Sequence, residues 1–298
     1  MMKLLSQFCT ENGISCIENA PISEYLTFRV GGPCKAMVFP DTVDKIRIIV
    51  EFLRNNNLKY FVIGRGSNLI APDSGYDGVI INTCNLESIS IDDNILTCAA
   101  GTPLIKACRF ALENSLSGFE CLYGIPGTVG GAVYMNAGAY GGEIKDTIIS
   151  ASHIDENGDI VTIPSDKLDL SYRHSIYSDK DYLIVSASFK LVKGDRDEIK
   201  DKMETLMGKR RDKQPLEFPS AGSTFKRPTG YFAGALIEEN GLKGYTVGGA
   251  QVSEKHAGFV INKGGATCDD ILKVIEHCRE TVFKSTGVSL ETEVRMIK

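Results

Sequence analysis

Residues 121–142 (CLYGIPGTVGGAVYMNAGAYGG) run for 22 positions without a charged side chain, and seven of them are glycine. An uncharged stretch of this length has the size of a membrane span, and Gly127 and Gly131 form a GxxxG pair. Glycine costs a helix about 1 kcal/mol per residue and proline about 3 kcal/mol. Seven glycines with Pro126 therefore argue against a transmembrane helix. The stretch reads instead as a buried, uncharged loop system in which backbone approaches a ligand closely.

The rest of the chain is consistent with a globular protein that holds such a loop system. Its 298 residues predict about two domains, and 43% hydrophobic with 24% charged residues excludes disorder. A formal charge of −5 argues against a general nucleic-acid binder. Nine cysteines, an odd number with no CxxC pair, fit neither a disulfide framework nor a zinc site. They are expected to be free thiols in a reducing cytoplasm. The first residues, MMKLLSQFCTENG, lack the apolar run of a signal peptide. The four histidines (153, 174, 256, 277) are scattered, and no metal site is expected.

Apolar residues at 43, 46, 49, 50 and 53 predict a helix over 43–57. Residues 59–64 and 78–82 read as short strands, and 88–99 as a hairpin turning at Asp92-Asp93-Asn94. Thr102 is expected to cap a helix that has Pro103 at its first position and ends near 114. Strands are expected at 148–154, 160–163 and 182–192, with a turn at 156–159. Asp195 and Glu198 predict a capping box and a helix to about 209. The basic residues of 209–213 then lie past its end, and a domain boundary is expected at 195–210. Asp269-Asp270 predicts the start of a last helix, and 289–297 an alternating terminal strand.

There is no GxGxxG, since Leu69 stands where the third glycine belongs, and no GxxxxGK[ST], HExxH or GxSxG. Three features remain. A strand runs into Gly64-Arg65-Gly66-Ser67-Asn68-Leu69, where consecutive N–H groups could cradle a pyrophosphate. Glycines of 124–132 and 136–142 suit a flat, partly apolar cofactor. Polar groups recur as Ser171-Tyr172-Arg173, in 220–226 (SAGSTFK), in 290–295 (LETEVR), and in the +3 cluster of 209–213, a candidate diphosphate site.

In this order, from 27–33 (TFRVGGP) to Arg295, these segments resemble the UDP-N-acetylenolpyruvoylglucosamine reductase (MurB) family. The resemblance implies an α+β architecture. An FAD-binding domain of the vanillyl-alcohol-oxidase (PCMH) type would span 1–194 in two α/β subdomains split near 80–100. A C-terminal α+β substrate-binding domain would span 195–298, its final strand carrying a catalytic Glu. The short interval between Arg173 and Asp195 resembles the family's second, shorter type. The resemblance implies non-covalent FAD, NADPH as co-substrate and a UDP-sugar substrate, with no nucleic acid, membrane or stable protein partner.

By that resemblance Arg173, Ser223 and Glu293 are catalytic, with Ser223 the proton donor and Glu291 the nearest alternative to Glu293. FAD contacts fall to Gly64, Arg65, Gly66, Ser67, Asn68 and Leu69; to Gly124, Ile125, Pro126, Gly127, Thr128, Gly130, Gly131 and Ala132; and to Gly138. Substrate contacts fall to Tyr172, Lys213, Lys226, Arg227 and His256. The last two depart from residues that some members carry, an Asn at 227 and a Gln at 256. The implied reaction reduces an enolpyruvyl ether to a lactyl ether, giving UDP-N-acetylmuramate for peptidoglycan. Another oxidase of the same superfamily would explain the glycine loops but not GSTFK together with LETEVR. A non-catalytic flavin or UDP-sugar binder would not need all three polar groups.

Overall fold

The computed structural model describes all 298 residues. They pack as two compact units that interleave along the chain. The first takes Met1–Glu18, Ala36–Arg65 and Gly78–Lys209; the second takes Asn19–Lys35, Gly66–Asp77 and Arg210–Lys298. A contiguous split at 194/195 does not draw this division, because 19–35 and 66–77 pack with the C-terminal residues.

In the first unit a four-stranded sheet orders Ser15–Glu18, Cys34–Phe39, Tyr76–Asn82 and Tyr60–Ile63. Tyr60–Ile63 runs parallel to its neighbour, so Gly64 leaves from the carboxyl end of a parallel strand, where α/β folds place ligands. Helix Val43–Asn55 forms as expected. The Thr42 side chain caps it by accepting from Lys45 N, and Ile46, Ile49, Val50 and Leu53 are buried. Each such side chain contributes about 1.5–3 kcal/mol, so packing of one face holds the helix. An antiparallel sheet orders Ile160–Pro164, Ile148–Ile154, Leu183–Lys190, Ile95–Ala99 and Ile89–Asp92. The expected hairpin supplies its last two strands, with Asp93 at φ +51° in the turn.

The second unit has a three-stranded antiparallel sheet of Thr246–Val247, Ala250–Val252 and Val260–Asn262 with helices Ala233–Glu239 and Cys268–Thr286. Phe28, Val30 and Ile70, from the two early segments, are buried in its core beside Ile237, Ile271 and Val274. Asn262 Nδ2 donates to Phe28 O at 3.2 Å. The Asp73 carboxylate accepts from the N–H groups of Cys268 and Asp269 at 2.8 and 3.1 Å. Arg295–Met296 pairs in parallel with Leu69–Ile70.

Five local expectations need correction. Thr102 is not a cap: Pro103 occupies that position of helix Leu104–Glu113, and the Thr102 hydroxyl donates to Ser88 O at 2.9 Å. The helix expected to stop near 209 is Arg196–Lys213, so the basic cluster forms its last turn and Pro215 follows its end. The Asp195 carboxylate does receive the Asp197 and Glu198 N–H groups. The last helix is capped by Thr267, whose hydroxyl accepts from Asp270 N while the Asp270 carboxylate accepts from Thr267 N, both at 3.0 Å. Within 289–297 only Arg295–Met296 is a strand. The glycine-dense stretch is not all loop; it contains helix Val129–Tyr134 and a hairpin of Gly138–Ala139 with Gly142–Glu143.

Candidate active site

In the first unit, Gly64 meets the segment 124–132 directly: a Cβ there would run into the Thr128 hydroxyl. Its missing side chain is thus required by protein packing. Thr128 is buried and caps helix Val129–Tyr134, its hydroxyl accepting from Gly131 N at 3.3 Å. Residues 127–130 are tied to 100–104, a segment the sequence placed at a helix start and not at the site. Leu104 N donates to Gly127 O, Val129 N to Thr102 O and Gly130 N to Ala100 O, all within 2.9 Å. Gly131 differs from Gly64. It is exposed, and an added Cβ would lie 3.5 Å from its nearest neighbour.

The N–H groups of Arg65, Gly66 and Ser67 donate to nothing in the protein, although Gly66 is buried. Gly66 has φ +61°, and a Cβ would stand 2.5 Å from Leu26 Cδ2 and 2.6 Å from Tyr25 O. Successive unspent N–H groups after a parallel strand suit a pyrophosphate. The loop and, separately, the open face at Gly131 each suit part of a dinucleotide such as FAD.

Arg173 occupies a tight turn. Ser171 and His174 exchange both backbone hydrogen bonds at 3.2 Å, which leaves Tyr172 and Arg173 at the corner. Arg173 sits at φ +58°, a left-handed conformation that side chains other than glycine seldom adopt. Its guanidinium lies 5.0 Å over the exposed Tyr172 ring, and Nη2 reaches Gly138 O at 3.4 Å. His174 spans two acceptors, Asp169 O and the Asp179 carboxylate, both 3.0 Å away. The ligand atoms of Asp169, His174 and Asp179 lie within 4.8 Å of one another, and both imidazole nitrogens are already engaged.

In the second unit the two C-terminal motifs lie side by side. Phe225 pairs antiparallel with Thr292; Glu293 N donates to Thr224 O at 2.8 Å, and Lys226 N to Glu291 O at 2.9 Å. Glu293 therefore stands opposite Thr224, next to Ser223. Thr224 is fixed on its other side, its N–H donating to Gly258 O and its hydroxyl accepting from Val260 N. Ser223 is exposed, and its hydroxyl has no partner in the protein. Asn68 holds the neighbouring strand, Nδ2 donating to Glu293 O at 3.1 Å. The two glutamates stand in different surroundings. Glu291 is exposed and ion-paired with Lys226 at 3.2 Å, whereas Glu293 is half-buried.

The proposed substrate residues are less uniform. Lys226 is committed to Glu291. Arg227 stacks 4.6 Å above the exposed Phe232 ring. Lys213 is exposed and ends the helix Arg196–Lys213. His256 is half-buried; burial pushes its pKa down, and Lys213 and Lys243 push the same way. Its Nδ1 accepts from Gly258 N at 3.1 Å, as a neutral imidazole can.

Known proteins match this arrangement along its length. The family description "FAD binding domain" matches residues 34–164, and "UDP-N-acetylenolpyruvoylglucosamine reductase, C-terminal domain" matches 214–297. A UDP-N-acetylenolpyruvoylglucosamine reductase of Clostridium perfringens (strain SM101 / Type A) is 48% identical over 295 residues, covering 99% of this chain and 96% of its own. The chain belongs to the UDP-N-acetylenolpyruvoylglucosamine reductase family. A relative from Clostridium novyi is 48% identical over 94% of the chain. The crystal structure of the MurB reductase from Thermus caldophilus superposes with a TM-score of 0.81 at 31% identity, covering 96% of this chain and 99% of that one. The expected architecture, an FAD-binding domain joined to the reductase's C-terminal domain, is that of the family. No helix is long and apolar enough to cross a membrane.

Sequence reading missed the residues that hold the candidate groups in place. Asn136 donates to Ser171 O and Ser175 to Tyr134 O, on either side of Arg173, and residues 100–104 tether the loop at 124–132. Asn136 carried one signal: a lone amide inside an uncharged stretch.

Proposed function

We infer that this chain reduces the enolpyruvyl ether of a UDP-amino sugar to the lactyl ether, yielding UDP-N-acetylmuramate in peptidoglycan precursor synthesis. The observation that carries the reading is the pairing of the 224–226 and 291–293 backbones, which sets a free Ser223 hydroxyl beside a half-buried Glu293. Residues up to 194 hold FAD, with its phosphates against 64–69 and 124–132, and residues 195–298 recognise the UDP-sugar. Bound FAD supplies hydride relay, from NADPH to C3 of the enolpyruvyl group.

The chain's own residues manage the charge that follows. As hydride adds at C3, negative charge develops from C2 onto the substrate carboxylate. Arg173 neutralises that carboxylate, and Glu293 in its protonated form donates the hydrogen bond that orients it. Ser223 gives its proton to C2, which completes addition of hydride and proton across the double bond. A hydroxyl suffices as the acid because the carbanion is far more basic. Lys213, Arg227, Tyr172 and His256 bind the substrate's diphosphate and sugar. Nine free thiols suit a reducing cytoplasm, where the enzyme would work.

The test is optical. The purified protein should be yellow, bleach with NADPH under anaerobic conditions, and recover its colour when the enolpyruvyl UDP-sugar is added. A protein that stays bleached with that substrate, or never binds flavin, refutes the reading.

A further inference from the structure

We propose that Asn136 is a positioning residue for Arg173, fixing the turn that carries it by a hydrogen bond from its side-chain amide to Ser171 O. The proposal rests on the catalytic role read for Arg173 above. Asn136 is completely buried, and every polar atom of its side chain is engaged. Nδ2 donates to Ser171 O at 2.9 Å and to the Glu143 carboxylate at 3.0 Å, and Oδ1 accepts from Lys145 N at 2.9 Å. Ser171 is the residue that closes the turn on His174 through two backbone bonds.

Two neighbours act in the same direction. Tyr134 O accepts from the Ser175 hydroxyl at 2.7 Å, and Gly138 O accepts from Arg173 Nη2 at 3.4 Å. Residues 136, 138 and 134 thus hold the turn before, at and after its corner, at Ser171, Arg173 and Ser175. The corner needs holding, since Arg173 sits at φ +58°. Such conformations cost about 1–3 kcal/mol and persist only where the surroundings over-determine them. Asn136 itself has φ +39°, another left-handed residue. The C-terminal part of the glycine-dense stretch therefore serves Arg173. Gly138 lacks a side chain for its own hairpin, because a Cβ would stand 2.5 Å from Gly142 O.

A misplacement of about 1 Å can cost roughly 10²-fold in rate. Stopped-flow mixing of the FAD-loaded protein separates reduction by NADPH from re-oxidation by the enolpyruvyl UDP-sugar. In Asn136→Ala the second step should slow by about 10²-fold, with flavin content and NADPH reduction near wild type. In an Arg173→Ala background the same change should add almost nothing, because groups acting through one residue are not additive. Should Asn136→Ala fail to fold, Ser175→Ala, which frees the other side of the turn, should show the same half-reaction split and the same loss of additivity. Unchanged re-oxidation, or a penalty that persists in full without Arg173, overturns the proposal. If Arg173→Ala itself re-oxidises like wild type, the catalytic reading of Arg173 has failed and the positioning role falls with it.

Discussion

At the scale of single residues, the catalytic candidates were named through a resemblance carried by short motifs, whereas the residues that hold them in place carry no such motif. Ser223 offers a sharp test. A proton donor is needed only after hydride has left the flavin, so Ser223→Ala should reduce normally with NADPH. Its re-oxidation by substrate should slow by the ~10²–10⁴-fold that follows loss of a general acid. Equal slowing of both half-reactions would make Ser223 a loop support. His174 shows what spacing hides, because its two acceptors, Asp169 O and the Asp179 carboxylate, are brought to it by the turn. Neither partner can donate, so both ring nitrogens must, which favours the imidazolium. The Asp169 carbonyl first, and the Asp179 carboxylate second, hold the His174 pKa above the ordinary 6.5. A raised folded-state pKa stabilises below the unfolded value and loses that stabilisation as pH climbs through the folded one. The Tm advantage of wild type over His174→Gln should therefore be full below pH 6.5 and shrink above it. An advantage that grows with pH would mean that His174 is held neutral.

At the scale of elements, periodicity and local capping chemistry located four of the seven α-helices and the longer strands between 59 and 192, but not Met2–Glu11, Cys34–Phe39 or the sheet of 246–262, and further errors fell where a distant partner outbid the local one. Thr42, which the apolar stripe did not single out, caps its helix, whereas Thr102 spends its hydroxyl on Ser88 O. The terminal segment shows burial at Leu290, Val294 and Ile297, yet it forms a strand only at Arg295–Met296 because Leu69–Ile70 offers just two residues to pair with. Glycine content was visible, but the reason for each glycine was not. Gly66→Val would force a branched side chain into Leu26 and Tyr25 at φ +61°, so loss of colour there would report strain as much as lost flavin contact. Gly131 is the cleaner probe, since a Cβ is accommodated. Gly131→Val should stay folded by circular dichroism, with Tm unchanged or slightly raised because valine is a better helix former than glycine, but bind FAD weakly. Full yellow loading of that variant would remove the loop at 124–132 from the flavin site.

At the scale of the whole molecule, the two-part organisation was legible from length and motif order, but its interleaving was not. No local pattern in 19–35 or 66–77 announces that these residues pack with a helix some two hundred positions later. The consequence is measurable. A fragment of residues 210–298 retains the whole C-terminal family match but lacks Phe28, Val30, Ile70 and the Asp73 carboxylate. Three buried side chains at about 1.5–3 kcal/mol each rival the 5–15 kcal/mol that typically holds a domain. The isolated fragment should show no cooperative unfolding transition. A two-state melt from it would mean that the early segments decorate the unit without completing it.

The parallel pairing of Leu69–Ile70 with Arg295–Met296 also sets a schedule. Asn68 and the backbone it grips at Glu293 are 225 positions apart. A ribosome adding about 5–20 residues per second needs roughly 10–45 s to make that interval. Throughout it the nascent loop after Gly66 has one flank unpaired. With the FAD phosphates placed against 64–69 as proposed, stable capture of the dinucleotide would be a late event in the birth of each molecule, and a cell short of FAD would meet the shortage in chains nearly finished.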